Sequence, residues 1–193
     1  MSGFKVDHKQ YKKEGRKVEF TVETLEKVRR IVARYPEGHS ESALLPLLHI
    51  AQEELGGYLS VDAMDYVAEI LAIEQVKVYE VATFYTQFYL EKQGTYIIEV
   101  CRTGPCAICG GEKISEFLQK KLQISDGETT TDGLFTIREV ECLGACGYAP
   151  AMQINTEFYE HLTEEKAGEI IDILRENGNR SKEEGSRWTD KFF

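Results

Sequence analysis

Two β-rich runs, each ending in a pair of cysteines, constrain this chain more than any other feature. The first reads Tyr96-Ile97-Ile98-Glu99-Val100-Cys101, with Cys106 after four intervening residues. The second runs from Leu134 to Val140 and is followed by Cys142 and, three residues further on, Cys146. Thirty-five residues separate Cys106 from Cys142. Both runs alternate and are rich in β-branched and aromatic residues, which suits strands. Two strands that each deliver two thiols at one end can bring four sulfurs to one place, and that is the pattern of a metal site.

Several occupants fit four thiolates. Structural zinc favours paired ligands with about two to four residues between them, so the first pair stands at the edge of that range. A redox-active dithiol needs Cys-x-x-Cys opening a helix. Cys106-Ala107-Ile108-Cys109 has that spacing but leaves three cysteines unexplained. A disulfide framework fits poorly, because the chain is long, shows no secretion signal and carries five cysteines, an odd number. An iron–sulfur cluster uses four thiolates in loops whose small residues let backbone N–H groups reach the sulfurs. Gly104, Gly110, Gly111, Gly144 and Gly147 supply such residues. Spacing alone favours the cluster and leaves zinc open. His8, His39, His49 and His161 lack metal-like neighbours, and no Cys-x-His pair supports a site with two histidines on one iron.

Charge and hydropathy exclude other classes. A net charge of −10 argues against nucleic-acid binding, which calls for a basic face. No apolar run approaches the roughly 18 residues of a membrane span. Met1 to Phe20 has no apolar core of a signal peptide and mixes Asp7, Glu14 and Glu19 with its lysines. The expectation is a soluble protein in a reducing compartment, where free thiolates remain available to metal.

Along the chain, residues 1–19 form a polar, locally basic extension, read either as a solvated terminus or as a strap for an acidic partner. Residues 20–92 carry helical periodicity. Leu25, Val28, Ile31 and Val32 make one stripe; Ser40 or Ser42 caps a second helix lined by Leu44, Leu47, Leu48, Ala51 and Leu55. Ser60 caps a third, and a fourth runs from about Glu74 to Tyr85. This is a small helical bundle with no catalytic constellation. Tyr79, Phe84, Tyr85, Phe88 and Tyr89 are read as core packing, and His49 as a structural histidine. Residues 93–178 follow the order β-α-β-β-β-α, with a helix opened by Gly110-Gly111 and a last one capped by Thr163. Residues 179–193 are a polar tail with Trp188, Phe192 and Phe193 suited to docking. The chain has no G-x-G-x-x-G fingerprint and no phosphate loop, so nothing in it reads as a nucleotide site.

Cys101-x4-Cys106 and Cys142-Leu143-Gly144-Ala145-Cys146, with Ala149-Pro150 just after, resemble the small thioredoxin-like [2Fe–2S] subunit of respiratory NADH:quinone oxidoreductase (complex I). The segments Ser42–His49, Val78–Tyr85 and Gly127–Gly133 resemble the same family, and the likeness runs from about Phe20 to Asn177. It implies an α+β fold: an N-terminal helical bundle followed by a thioredoxin-like [2Fe–2S] ferredoxin domain. Cys101, Cys106, Cys142 and Cys146 would each give the cluster one thiolate. The implied role is one-electron transfer beside a subunit that binds FMN and NADH and a neighbouring iron–sulfur subunit, on the cytoplasmic face of the inner membrane without insertion into it. Similar subunits serve NAD-linked formate dehydrogenases and hydrogenases, which is the alternative parent. A zinc-stabilised adaptor without redox role is the alternative of another class.

Two positions depart from the family pattern. Arg102 stands where a small polar residue is usual; it reads either as a cation that raises the cluster's potential or as a solvent-facing side chain. Cys109 stands where arginine is frequent and is expected not to be a ligand.

Overall fold

The helical periodicity of the first half resolves into four α-helices: α1 (Val22–Val32), α2 (Leu44–Glu54), α3 (Val61–Leu71) and α4 (Gln75–Phe84). A computed structural model describes the protein at Lys13, Gly15 and residues 17–177. Most of the N-terminal extension and the whole 179–193 tail, with its aromatic residues, lie outside the described residues. The chain divides into two compact units at Lys92 and Gln93.

Local chemistry accounts for the helix ends in the first unit. The Thr21 hydroxyl accepts the Thr24 N–H at 3.1 Å, and the Ser60 hydroxyl accepts the Ala63 N–H at 3.1 Å, each satisfying an orphan donor of a first turn. The expected cap at Ser40 or Ser42 is not formed. Residues Ser40–Ala43 make a 3-10 turn leading into α2, and the Ser40 hydroxyl donates instead to the Leu71 carbonyl at 2.8 Å. The hydroxyl serves a long-range acceptor at the end of α3 rather than a first-turn N–H of α2. Val28, Ile31, Leu47, Leu48, Met64, Val67 and Val78 are buried together in one core. Asp65 is buried too, and its carboxylate accepts the Tyr79 O–H and pairs with the Lys13 ammonium at 2.5 Å. Part of the aromatic cluster lies outside the core. Phe88 is buried, whereas Phe84 and Tyr85 are exposed at the end of α4. Helix α4 turns Val78 and Ala82 inward, and Phe84 and Tyr85 at its C-terminal end face water.

His49 on α2 lies 4.9 Å from the Phe88 ring, centroid to centroid, and burial lowers its pKa to about 4. The unfolded imidazole titrates near pH ~6.5, so the folded state binds fewer protons than the unfolded one between these values. The stability that the neutral ring contributes is complete above about pH 6.5 and drains away as the pH falls toward 4. His49→Leu should therefore flatten the acid side of the Tm–pH profile, by at most about 3 kcal/mol at its foot. An unchanged acid limb would contradict this.

In the second unit, β1 (Tyr96–Cys101) leads into the short helix α5 (Gly104–Ile108) and then α6 (Gly111–Leu122). Next come β2 (Phe135–Val140), β3 (Met152–Ile154), β4 (Glu157–Tyr159) and α7 (Glu164–Asn177). The sheet order is β2-β1-β3-β4, with β1 parallel to β2 and the other pairs antiparallel. A parallel neighbour requires a crossover, and α5 with α6 provides it. Ile98, Val100, Phe135, Ile137, Met152 and Ile154 share a core with Ile114, Leu118 and Leu122 of α6 and Ala167 and Ile171 of α7. Thr163 caps α7, its hydroxyl accepting the Lys166 N–H at 3.2 Å. The fold is α+β. Among the described residues, no helix is long and apolar enough to cross a membrane.

Candidate metal centre

The parallel register decides where the cysteines go. Ile98 stands opposite Ile137 and Cys101 opposite Val140, so both strands release the chain at the same edge of the sheet. Cys101 is the last residue of β1, and Cys142 lies two residues beyond β2. Two backbone bonds close the edge: the Cys101 N–H donates to the Ala151 carbonyl at 3.2 Å, and the Arg102 N–H to the Val140 carbonyl at 3.1 Å. Cys106 sits on α5, a helix that the periodicity of the sequence does not announce. Pro105 in the first turn is the signal that could have revealed it, since proline there loses no hydrogen bond. Cys146 opens a 3-10 turn, Cys146–Tyr148, that packs against α5.

The four sulfurs arrive as two unlike pairs. Cys101 and Cys106 are each only 2% exposed and pack with Ala151, Leu143 and Ala145. Cys142 and Cys146 are exposed, with their sulfurs 3.7 Å apart. Cys101 and Cys106 interact directly, and the charge of Cys146 is felt at Cys106. All four thiols thus lie within electrostatic reach. Cys109 is exposed at the end of α5.

Backbone N–H groups converge on the sulfurs. Burial pushes the Cys101 thiol up, but the N–H groups of Thr103 and Leu143, the Cys106 thiol and the Thr103 hydroxyl together hold it below the ordinary range. Cys106 is pushed up by burial and by the Cys101 thiol, against the N–H of Ala151. Cys146 is raised first by the Cys142 thiol beside it. The Gly144 N–H donates to the Cys142 sulfur at 3.3 Å from a residue at φ +80°, a conformation that favours glycine. Thiols crowded together and ringed by N–H donors become favourable once a cation binds and all of them ionise. These backbone donors were invisible in the sequence; only the glycines hinted at them.

The pairing also bears on what fits. A metal–thiolate bond of about 2.3 Å places two sulfurs of one tetrahedron ~3.8 Å apart, and Cys142 and Cys146 match that edge at 3.7 Å. Four thiols with backbone N–H groups aimed at sulfur fit a [2Fe–2S] cluster.

Arg102 is exposed and its guanidinium pairs with the Glu141 carboxylate at 3.1 Å. The pair joins the residue after Cys101 to the residue before Cys142. The arginine's charge is compensated at the surface, and the solvent-facing reading describes its position.

Comparison with known proteins adds an independent line. The family model "Thioredoxin-like [2Fe-2S] ferredoxin" matches residues 28–175. A subunit of the NADH-quinone oxidoreductase of Rickettsia conorii is 47% identical over 156 residues, covering 81% of this chain and 93% of the relative. Mitochondrial NADH dehydrogenase [ubiquinone] flavoprotein 2 of Dictyostelium discoideum is 46% identical over 159 residues, covering 82% of this chain and 64% of that one. The crystal structure of NAD+-reducing [NiFe]-hydrogenase in the H2-reduced state superposes with a TM-score of 0.61 at 21% identity. That match covers 69% of this chain and 22% of the hydrogenase chain, so the likeness is one of fold over about a fifth of the larger protein.

Proposed function

Because the chain belongs to the thioredoxin-like [2Fe–2S] ferredoxin family, we propose that it is the small electron-transfer subunit of an NADH:quinone oxidoreductase, with Cys101, Cys106, Cys142 and Cys146 as the ligands of its cluster. The observation that carries this reading is the convergence of four thiols, in two pairs, at one edge of a parallel strand pair. When bound, a [2Fe–2S] cluster passes electrons singly, which lets it serve a flavin that takes a two-electron hydride from NADH.

The residues of the chain do the rest. Cys101 and Cys106 anchor one side of the site in the apolar packing of Ala151 and Leu143, away from water. The N–H groups of Thr103, Leu143, Ala151 and Gly144 offset the negative charge collected there. Cys142 and Cys146 bring the other side to the surface, where a partner can approach. FMN and NADH belong on a partner subunit in this reading, with another iron–sulfur subunit as neighbour, and the complex holds the chain at the cytoplasmic face of the inner membrane. The identity of 47% to a chain of an NADH-quinone oxidoreductase favours this parent over a formate dehydrogenase or hydrogenase.

The test is reconstitution. NADH should bleach the visible band of the purified chain only when the flavin-bearing, NADH-oxidising subunit of the same complex is added. Bleaching by NADH alone, or none with the flavoprotein present, would contradict the proposal.

A further inference from the structure

We propose that the pocket on α3 between Asp62, Asp65 and Glu69 is a lysine-binding latch. Lys13 of the same chain fills it and ties the basic N-terminal extension back onto the helical bundle. The inference concerns the first unit and does not depend on the electron-transfer reading. The first 19 residues carry Lys5, Lys9, Lys12, Lys13, Arg16 and Lys17 in a chain whose net charge is −10. An acidic surface attracts such a segment, and the chain supplies one itself. Asp62, Asp65 and Glu69 stand at i, i+3 and i+7 of α3 and so share one face of the helix. With Lys13, Val18 and Tyr66 they line a cavity of about 200 Å³.

Asp65 makes the pocket selective for a cation. Its side chain is 9% exposed, whereas that of Lys13 is 62% exposed, so the ammonium reaches a carboxylate that has left water. One carboxylate oxygen, Oδ1, accepts the Tyr79 O–H. The other, Oδ2, has no hydrogen-bond donor among the described residues besides the Lys13 ammonium at 2.5 Å. The hydrogen bond and charge of Asp65, and beyond them the charges of Asp62 and Glu69, hold the Lys13 ammonium protonated. Pairs between two exposed side chains contribute little. Here one partner is buried, and removing the ammonium would leave its charge without a counterion. A second anchor lies on the next residue of α3. Phe20 is buried, its ring meets that of Tyr66 edge-on at 5.1 Å, and its N–H donates to the Tyr66 hydroxyl at 3.2 Å. Lys13 and Phe20 thus meet neighbouring residues of one helix, so the chain between them closes a loop against α3. Phe20 alone would fix only the approach to α1; Lys13 carries the hold back into the extension.

Trypsin tests this on the purified full-length chain. Cleavage after Lys17, between the two anchors, is followed by intact mass at low conversion, so that each molecule is cut once. The rate for a held segment tracks the fraction of time it is released. Lys13→Gln and Asp65→Asn should each speed this cut at least about tenfold. Asparagine still accepts the Tyr79 O–H, so the second change removes the charge and keeps that bond. Lys13→Arg retains the cation and should stay within about threefold of the wild type. Lys12→Gln, which removes the same charge one residue away, should stay within about threefold too. Cleavage after Lys77, exposed on α4, should keep its wild-type rate, which separates release of the latch from opening of the bundle. An unchanged Lys17 rate in Lys13→Gln overturns the latch. An equal gain from Lys12→Gln, or a matching gain at Lys77 in Lys13→Gln, overturns it as well. A wild-type rate in Asp65→Asn overturns the pocket as its seat, and Lys13→Gln decides alone if that variant does not fold.

Discussion

Gly111→Ala should empty the metal centre. Gly111 is the first residue of α6, and helix propensity alone would reward the change by about 1 kcal/mol. Sterics decide otherwise. A Cβ at this position would lie 2.7 Å from the Cys101 carbonyl oxygen and 2.9 Å from that of Cys106. Both atoms are backbone, so no side-chain rotation relieves them, and both belong to proposed ligands. Overpacking typically costs about 1–3 kcal/mol, and here relief can come only by moving Cys101 away from Cys106 or α6 away from both. Iron per chain and the visible absorbance after anaerobic reconstitution should fall at least about tenfold. Gly110→Ala is the control. Gly110 sits at φ +96°, so alanine there is strained, but its Cβ would meet nothing within 4 Å. That variant should lose about 1–2 kcal/mol of stability and keep its iron. Wild-type iron in Gly111→Ala would show that the close approach does not position the ligands.

The second large effect separates the five cysteines. Replacement of Cys101, Cys106, Cys142 or Cys146 by alanine removes one of the four proposed thiolate ligands and should cut cluster loading by at least about tenfold, since even the partners of metal ligands are worth about 10–100-fold in affinity. Cys109→Ser should leave iron content and spectrum unchanged, because that thiol lies exposed at the end of α5. Cluster loss in Cys109→Ser, or retention in any of the other four, would reverse the assignment. In the metal-free chain the burial difference should also be visible by timed alkylation. Cys109, Cys142 and Cys146 should react ahead of Cys101 and Cys106.

Much of this was legible in the sequence because the signals are local. Alternation placed β1 and β2 within a residue of their observed spans, and the polar residues Ser60 and Thr163 fell where first-turn N–H groups need acceptors. The four thiols that the spacing singled out are those that interact. Non-local contacts governed what the sequence hid. Ser40 turned to the Leu71 carbonyl across 31 positions, and no local rule anticipates such an acceptor. Phe84 and Tyr85 read as core by composition yet face outward, since Val78 and Ala82 occupy the buried face of α4. The division into a buried and an exposed thiol pair, and the N–H groups aimed at both, arise from the β1–β2 register and the packing of α5. Arg102 was ambiguous for the same reason, as its partner Glu141 stands 39 residues away.

The rival from another class, a zinc-stabilised adaptor, shares the thiols and the fold and differs in the occupant. The measurement that tests the central claim most directly is therefore the content of the purified full-length chain: iron, zinc and acid-labile sulfide per polypeptide, with the visible spectrum of the same sample. The four-thiolate cluster site predicts about two irons and about two sulfides in a red-brown protein whose colour bleaches on reduction. A colourless protein with about one zinc and no sulfide would contradict it.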